Sequence, residues 1–175
     1  IPFNGNISVA QIEQKLSQDD YCAVIITSPT YEGMVSDVRT ICETAHKKHI
    51  PVIVDEAHGA HLGIWGGDGY FPASAIRCGA DIVIQSTHKT LPAMTQTALL
   101  HVQGDLIDRR QLKEHLAVFQ SSSPSYILME SISDALHFCA DHKEELVKAY
   151  RQRLDAFYQR MEKLKCFYCI RPQIL

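Results

Sequence analysis

Two charged side chains stand where apolar strands should end. Asp55 follows Pro51-Val-Ile-Val54, and Lys89 closes the segment Asp81-Ile-Val-Ile-Gln-Ser-Thr-His-Lys89. A carboxylate leaving a buried strand is costly unless a cation or a set of donors meets it. An amine at the end of the following strand, if burial and positive neighbours hold its pKa down, is a nucleophile able to form a Schiff base with an aldehyde. Ser86, Thr87 and His88 precede that amine and add hydroxyl and imidazole hydrogen-bonding groups.

The surrounding pattern supplies the elements that must position these groups. From Ser8, a good N-cap, Val9, Ile12 and Leu16 recur at helical spacing. Cys22 to Thr27 is a continuous apolar strand, and Ser28 to Gly33 is a loop by its Pro and Gly. Val35 to Lys48 places Val35, Val38, Ile41, Cys42 and Ala45 on one helical face. Pro51 to Val54 is a second strand, Phe71 to Cys78 a short helix closed by Gly79, and Asp81 to Gln85 a third strand. The order βαβαβ with strands apolar on both faces predicts an α/β fold: three layers, αβα, around a mostly parallel central sheet. Thr97 to Val102 reads as a fourth strand of hairpin or mixed pairing. Beyond Gly104 the chain turns helical, over Asp105–Phe119, Pro124–Ala140 and Asp141–Lys165. In an open parallel sheet ligands gather beyond the C-terminal strand ends. The polar tips obey that rule: Ser28–Thr30, Asp55–His61 and Ser86–Lys89.

Bulk properties narrow the choice of partner. A net charge of -3, with acids and bases interleaved, gives no built-in attraction to nucleic acid or an anionic membrane. No apolar run approaches the ~20 residues of a membrane-spanning helix. The six cysteines are scattered, which fits a reducing cytoplasm better than a disulfide scaffold. Cys166 and Cys169 form a CxxC with no strand-then-helix pattern to lower a thiol pKa. His58, His61, His88 and His101 lack the i, i+4 helical pair of a catalytic zinc site, so no metal is expected. Gly66-Gly67-Asp68-Gly69 follows no strand and reads as a loop, and Tyr31 reads as loop packing, with contact to a bound ligand the alternative.

A carboxylate on one strand tip and an amine on its neighbour make a pair of handles for a flat aromatic aldehyde with a protonatable ring nitrogen. Pyridoxal 5'-phosphate is such a molecule. The carboxylate would keep the ring nitrogen protonated and strengthen the ring as an electron sink. Ser86 and His88 would serve its phosphate, and His58 its ring face or phenolic oxygen.

The strings VIVDEAHGAHLG and ADIVIQSTHKTLPAMTQTALLHV, with SPTYEG before and QSSSPSY after, resemble the major domain of the bacterial ornithine/lysine/arginine decarboxylases, fold type I pyridoxal-phosphate enzymes. The resemblance implies that Lys89 is the Schiff-base lysine, Asp55 the partner of the pyridine nitrogen, and Ala57 a small residue beneath the ring. It implies that His58, where some members carry Trp, lies by the ring oxygen, and that Ser86 and His88 hold the phosphate. His88 is also a candidate proton donor. Ser121, or its neighbour Ser122, would reach the phosphate of the opposite subunit of a homodimer. The implied activity is decarboxylation of a basic amino acid: lysine, ornithine or arginine. On this reading residues 1–140 form part of the cofactor-binding large domain. Residues 141–175 then form a helix and the start of a strand leading to a further domain. The family's upstream phosphate loop and ring-stacking residue are missing from these 175 residues, which alone are expected to bind cofactor weakly and turn over little.

Two rivals share parts of the pattern. Another fold type I enzyme, an α-oxoamine synthase or an aminotransferase, would also carry Asp-x-Ala-His and a strand-end lysine. A DEAH-type helicase would carry Val-Ile-Val-Asp-Glu-Ala-His, but it needs a G-x-x-x-x-G-K-[ST] loop, and none is present.

Overall fold

In the computed structural model, residues 5–67, 69–167 and 169 are described. The elements are α1 (Val9–Gln18), β1 (Val24–Thr27), α2 (Val38–His46), β2 (Val52–Asp55), α3 (Leu62–Trp65), α4 (Ala75–Cys78), β3 (Ile82–Ser86), α5 (Thr87–Thr90), β4 (Ala98–Val102), α6 (Arg109–Phe119), α7 (Tyr126–Asp141) and α8 (Lys143–Met161). The four strands form one sheet in the order β1-β2-β3-β4. β1, β2 and β3 run parallel, and β4 returns antiparallel to β3. The fold is therefore α/β with a mostly parallel sheet and a helical C-terminal part, as the sequence predicts.

Alternation along the strands splits the sheet into two faces. On one face Val24, Ile26, Val52, Val54 and Val83 pack against Leu16 of α1, Ile41 and Ala45 of α2, and Ala75 of α4. Ile41, Val52 and Val54 are completely buried, each stabilising the fold by about 1.5–3 kcal/mol relative to exposure. The opposite face carries Ile25, Ile53, Ile84 and Leu100, of which Ile25 remains 71% exposed and Leu100 39%. α7 and α8 gather instead near the C-terminal strand tips. α7 docks through Cys139 and Leu136 onto Ala60 and Leu91, and α8 through Val147 onto Leu62 and Phe71.

Capping explains where the helices depart from the sequence reading. The helix expected over 35–48 begins at Val38, because Asp37 caps it by accepting from the Thr40 N–H at 3.1 Å. Ser36 stays outside the helix, its N–H donating to Ser28 Oγ at 3.0 Å and its hydroxyl accepting from the Ile7 N–H at 2.9 Å. The helix expected over 71–78 begins at Ala75, capped by Ser74 and closed by Gly79 at φ 99°, a left-handed conformation that suits glycine. α3 and α5, single turns too short for a periodicity to show, are absent from the sequence reading. The strand expected to start after 165 falls largely outside the described residues. Among the described residues no helix is long and apolar enough to cross a membrane.

The far end of the sheet is held by one carboxylate. Asp81, 3% exposed, accepts from the Val52 N–H and pairs with His46 Nε2, both at 2.8 Å. Its carbonyl accepts from the Gln103 N–H, so one residue ties β2, α2 and the end of β4 at the N-terminal edge of β3.

Candidate active site at the strand tips

β2 and β3 pair in parallel with Asp55 level with Ile84, and Ser86 lies two residues further along on the same face. Asp55 thus points to the open face, whereas its neighbour Glu56 turns into the core. The Glu56 N–H continues the ladder by donating to Ile84 O at 2.9 Å. Asp55 Oδ1 accepts from the Ala57 N–H at 3.0 Å, which fixes the carboxylate over the start of the loop. Ala57 itself is buried.

Glu56 is the anchor beneath this tip. It is 2% exposed, and its carboxylate accepts from Ser74 Oγ at 2.7 Å, the Ala75 N–H at 2.8 Å and Gln85 Nε2 at 2.6 Å. Gln85 Oε1 in turn faces His101 Nε2 at 3.0 Å. Burial pushes the Glu56 carboxyl above the ordinary carboxylate range, opposed by those three donors, and burial pushes the His101 imidazole down. Nothing in the sequence reading singled out Glu56. Its signal is the alternation of the strand, which sends the residue after Asp55 inward.

β3 passes directly into the single turn α5, with Ser86 in the extended cap position. Thr87 is wholly buried, His88 half-buried and Lys89 exposed. The burial expected around Lys89 is therefore not found. The turn following the strand lifts the amine to the surface of the tip rather than leaving it inside the sheet. The cation expected beside Asp55 is likewise absent among the described residues: neither Asp55 nor Lys89 makes an ion pair there. The β2 and β3 tips are nevertheless tied together, by Glu56 N–H to Ile84 O and by the His61 N–H donating to Thr90 Oγ1 at 3.3 Å.

His58 meets Tyr31 edge-on, ring centroids 5.6 Å apart, with its Nδ1 buried and without a hydrogen-bond partner. Tyr31 is 85% exposed, so the loop packing expected of it amounts to this edge contact with His58. Ser121 lies in the exposed α6–α7 turn. Its hydroxyl accepts from the Ser123 N–H at 3.1 Å and lies 3.2 Å from Ser123 O. It makes no bond to the other candidate residues; the structure places Asp55, Ala57 and His58 at the β2 tip and Ser86, His88 and Lys89 at the adjacent β3 tip, with Ser121 in a separate turn. Among the described residues no group of three or more His, Cys, Asp or Glu side chains is placed to hold a metal ion.

A carboxylate and an amine on neighbouring tips, both without ionic partners, together with a buried imidazole nitrogen lacking a hydrogen bond, fit the ring nitrogen, aldehyde and ring oxygen of pyridoxal phosphate. The fold agrees. It is that of the fold type I pyridoxal-phosphate enzymes. The chain superposes on a NifS-like protein from Rickettsia africae with a TM-score of 0.65 at 16% identity, covering 92% of this chain and 44% of that one. A methionine gamma lyase from Micromonospora echinospora gives 0.56 at 20% identity over 74% and 33%.

Residues 3–175 match the Orn/Lys/Arg decarboxylase major domain, and the chain belongs to that family. It is 46% identical over 83% of its length to the uncharacterized protein YaaO of Bacillus subtilis, covering 29% of that protein. It is 30% identical over 89% of its length to an arginine decarboxylase of the same organism, covering 31% of it. The constitutive lysine decarboxylase of Escherichia coli is 28% identical over 63% of the chain and 16% of the enzyme. The chain thus spans about a third or less of the curated relatives named here.

Proposed function

We propose that the intact protein decarboxylates a basic amino acid, lysine, ornithine or arginine, with pyridoxal phosphate held at these strand tips. The observation that supports the reading is that Asp55 ends β2 while Lys89 stands in the turn directly after the adjacent parallel strand β3, within a chain of this family. Lys89 would hold the cofactor by its amine, Asp55 the proton of the ring nitrogen, and Ser86 and His88 the phosphate. Ala57 would sit beneath the ring and His58 by its oxygen. When bound, the cofactor supplies an electron sink for the pair left behind as carbon dioxide departs. Asp55 would maintain that sink by keeping a negative charge against the ring nitrogen, and its bond from the Ala57 N–H holds the carboxylate in place. His88, next to Lys89 in sequence, would be the candidate proton donor.

The working unit in this reading is a homodimer in the cytoplasm. Val118, Phe119, Tyr126 and Ile127 are all exposed on either side of the Ser121–Ser125 turn, an apolar surface that a second copy would cover while bringing Ser121 to its partner's phosphate. All six cysteines are free thiols, which suits a reducing compartment.

Incubating the intact protein with pyridoxal phosphate and each of the three amino acids should release carbon dioxide and the matching diamine or agmatine. Lys89→Ala should abolish both product and the visible absorbance of the bound cofactor. An oxo acid or an amino ketone as product would overturn the reading. Mixing inactive Lys89→Ala with a weakened Ser121→Ala variant should restore activity if sites are shared between subunits.

A further inference from the structure

His88 is oriented by a residue that no role above covers. Its Nδ1 lies 2.8 Å from Thr97 O. A carbonyl oxygen only accepts, so Nδ1 must carry the proton; the other neutral tautomer would set two lone pairs against each other. Nε2 has no protein partner among the described residues. The same carbonyl accepts from the Thr87 N–H at 3.2 Å, which uses its second lone pair.

The carbonyl is itself held in place. Thr87 Oγ1 donates to Thr97 Oγ1 at 2.6 Å, and Thr97 Oγ1 donates to Met94 O at 2.7 Å. Both threonines are buried, Thr87 completely and Thr97 to 2% exposure. The Met94 N–H donates to Ser131 Oγ at 2.7 Å, which ties the turn to α7. A run of hydrogen bonds, buried at its two threonines and exposed at the Met94–Ser131 bond, therefore links α7, through the 91–97 loop, to the imidazole beside Lys89.

We propose that Thr97 is the positioning residue of His88: its carbonyl locks the ring as the Nδ1–H tautomer and leaves Nε2 as the nitrogen turned to the ligand, while its hydroxyl, bonded to Thr87 and Met94, holds that carbonyl. A neutral His88 then meets the ligand as a hydrogen-bond acceptor. It donates to an anion such as a phosphate ester only as the imidazolium, with Nδ1–H still on Thr97 and the added proton on Nε2. The tautomer follows from the geometry alone; the identity of the ligand at Nε2 rests on the proposed function.

The test is nitrogen-15 NMR of the intact protein labelled on histidine, with the His88 signals identified by their loss in His88→Gln. At alkaline pH without cofactor, wild type should show His88 with a protonated Nδ1 and a bare Nε2. Thr97→Val should give a mixture of tautomers, and Thr97→Ser, which keeps the hydroxyl, should restore the single form. An Nε2–H form in the wild type overturns the proposal. So does an unchanged Nδ1–H form in a Thr97→Val protein whose melting temperature matches wild type. Adding pyridoxal phosphate should move the Nε2 signal toward the protonated position. If the cofactor neither binds nor shifts Nε2 while the tautomer is as stated, the proposed function fails and the lock stands.

Discussion

Replacing Glu56 by Gln isolates what the buried carboxylate does for the β2 tip. The carboxylate offers only acceptors to three donors: the Ala75 N–H on one oxygen, and the Ser74 hydroxyl and Gln85 amide on the other. Glutamine keeps one oxygen. If its NH2 takes the place facing Ala75, a main-chain N–H that cannot turn away is left unpaired. If it takes the other place, Ser74 can rotate to accept, but the Gln85 NH2 meets another donor, and flipping Gln85 keeps its contact with His101 only if that ring moves its proton to Nδ1. Without that flip one buried donor is orphaned, which costs about 1–3 kcal/mol relative to the ionised wild type. Burial raises the folded-state pKa of Glu56 above that of the unfolded chain. Its favourable contribution is therefore fully present below the unfolded carboxyl pKa of about 4.3 and is lost as pH rises through the higher folded value. The stability gap between wild type and Glu56→Gln should thus be widest in acid and narrow toward neutrality, where the wild type must keep a charge buried. Urea unfolding followed by circular dichroism across that range measures the gap. A variant as stable as wild type in acid, or a gap that widens with pH, would refute the reasoning.

Three further outcomes follow from the same geometry. Gly59→Ala would bring a Cβ to 2.6 Å from Glu56 Cγ and 2.8 Å from Pro29 Cδ, so overpacking should cost about 1–3 kcal/mol, read as a lowered urea midpoint. Asp55→Asn keeps an oxygen for the Ala57 N–H and should fold normally, yet lose roughly a hundredfold or more in turnover because a neutral amide no longer holds a proton on the ring nitrogen. Burial, with Asp81 nearby, pushes the Cys42 thiol up to about 12, so Cys42 should resist thiol reagents in the native state while the exposed Cys22 and Cys166 react; rapid native labelling of Cys42 would show that the α2–sheet core opens.

The sheet was legible in the sequence because Val24–Thr27, Val52–Asp55 and Ile82–Ser86 are β-branched runs with nothing to compete. Their C-terminal tips could be read as a site because polar residues stand there against the apolar pattern. The helix starts at Val38 and Ala75 were less legible, since Asp37, Ser74 and Glu56 decide them, and the Glu56 bond to the Ala75 N–H joins residues that only the fold brings close. Lys89 illustrates the same limit. Apolar residues before it predicted burial, but a one-turn helix that leaves no periodicity carries it out to the surface. Thr97 escaped notice because its function lies in its carbonyl, which every residue has.

What the tip of β2 shows is how a parallel sheet separates chemistry from support. Consecutive side chains point to opposite faces, so the last strand residue and the one after it cannot share a task. Asp55 goes to the open face and stands without an ionic partner, available to a ligand. Glu56 goes inward and spends its oxygens on α4 and β3. The tip of β3 repeats the division: the Gln85 and Thr87 side chains are buried and bonded to protein, whereas those of Ser86 and Lys89 make no hydrogen bond among the described residues. His88 stands between the two groups, with Nδ1 committed to Thr97 and Nε2 left over. A change on the buried side should therefore alter stability and the placement of the tips before it alters which ligand is bound, and a change on the open side should do the reverse. Glu56→Gln and Asp55→Asn, adjacent in sequence, form the sharpest comparison of the two.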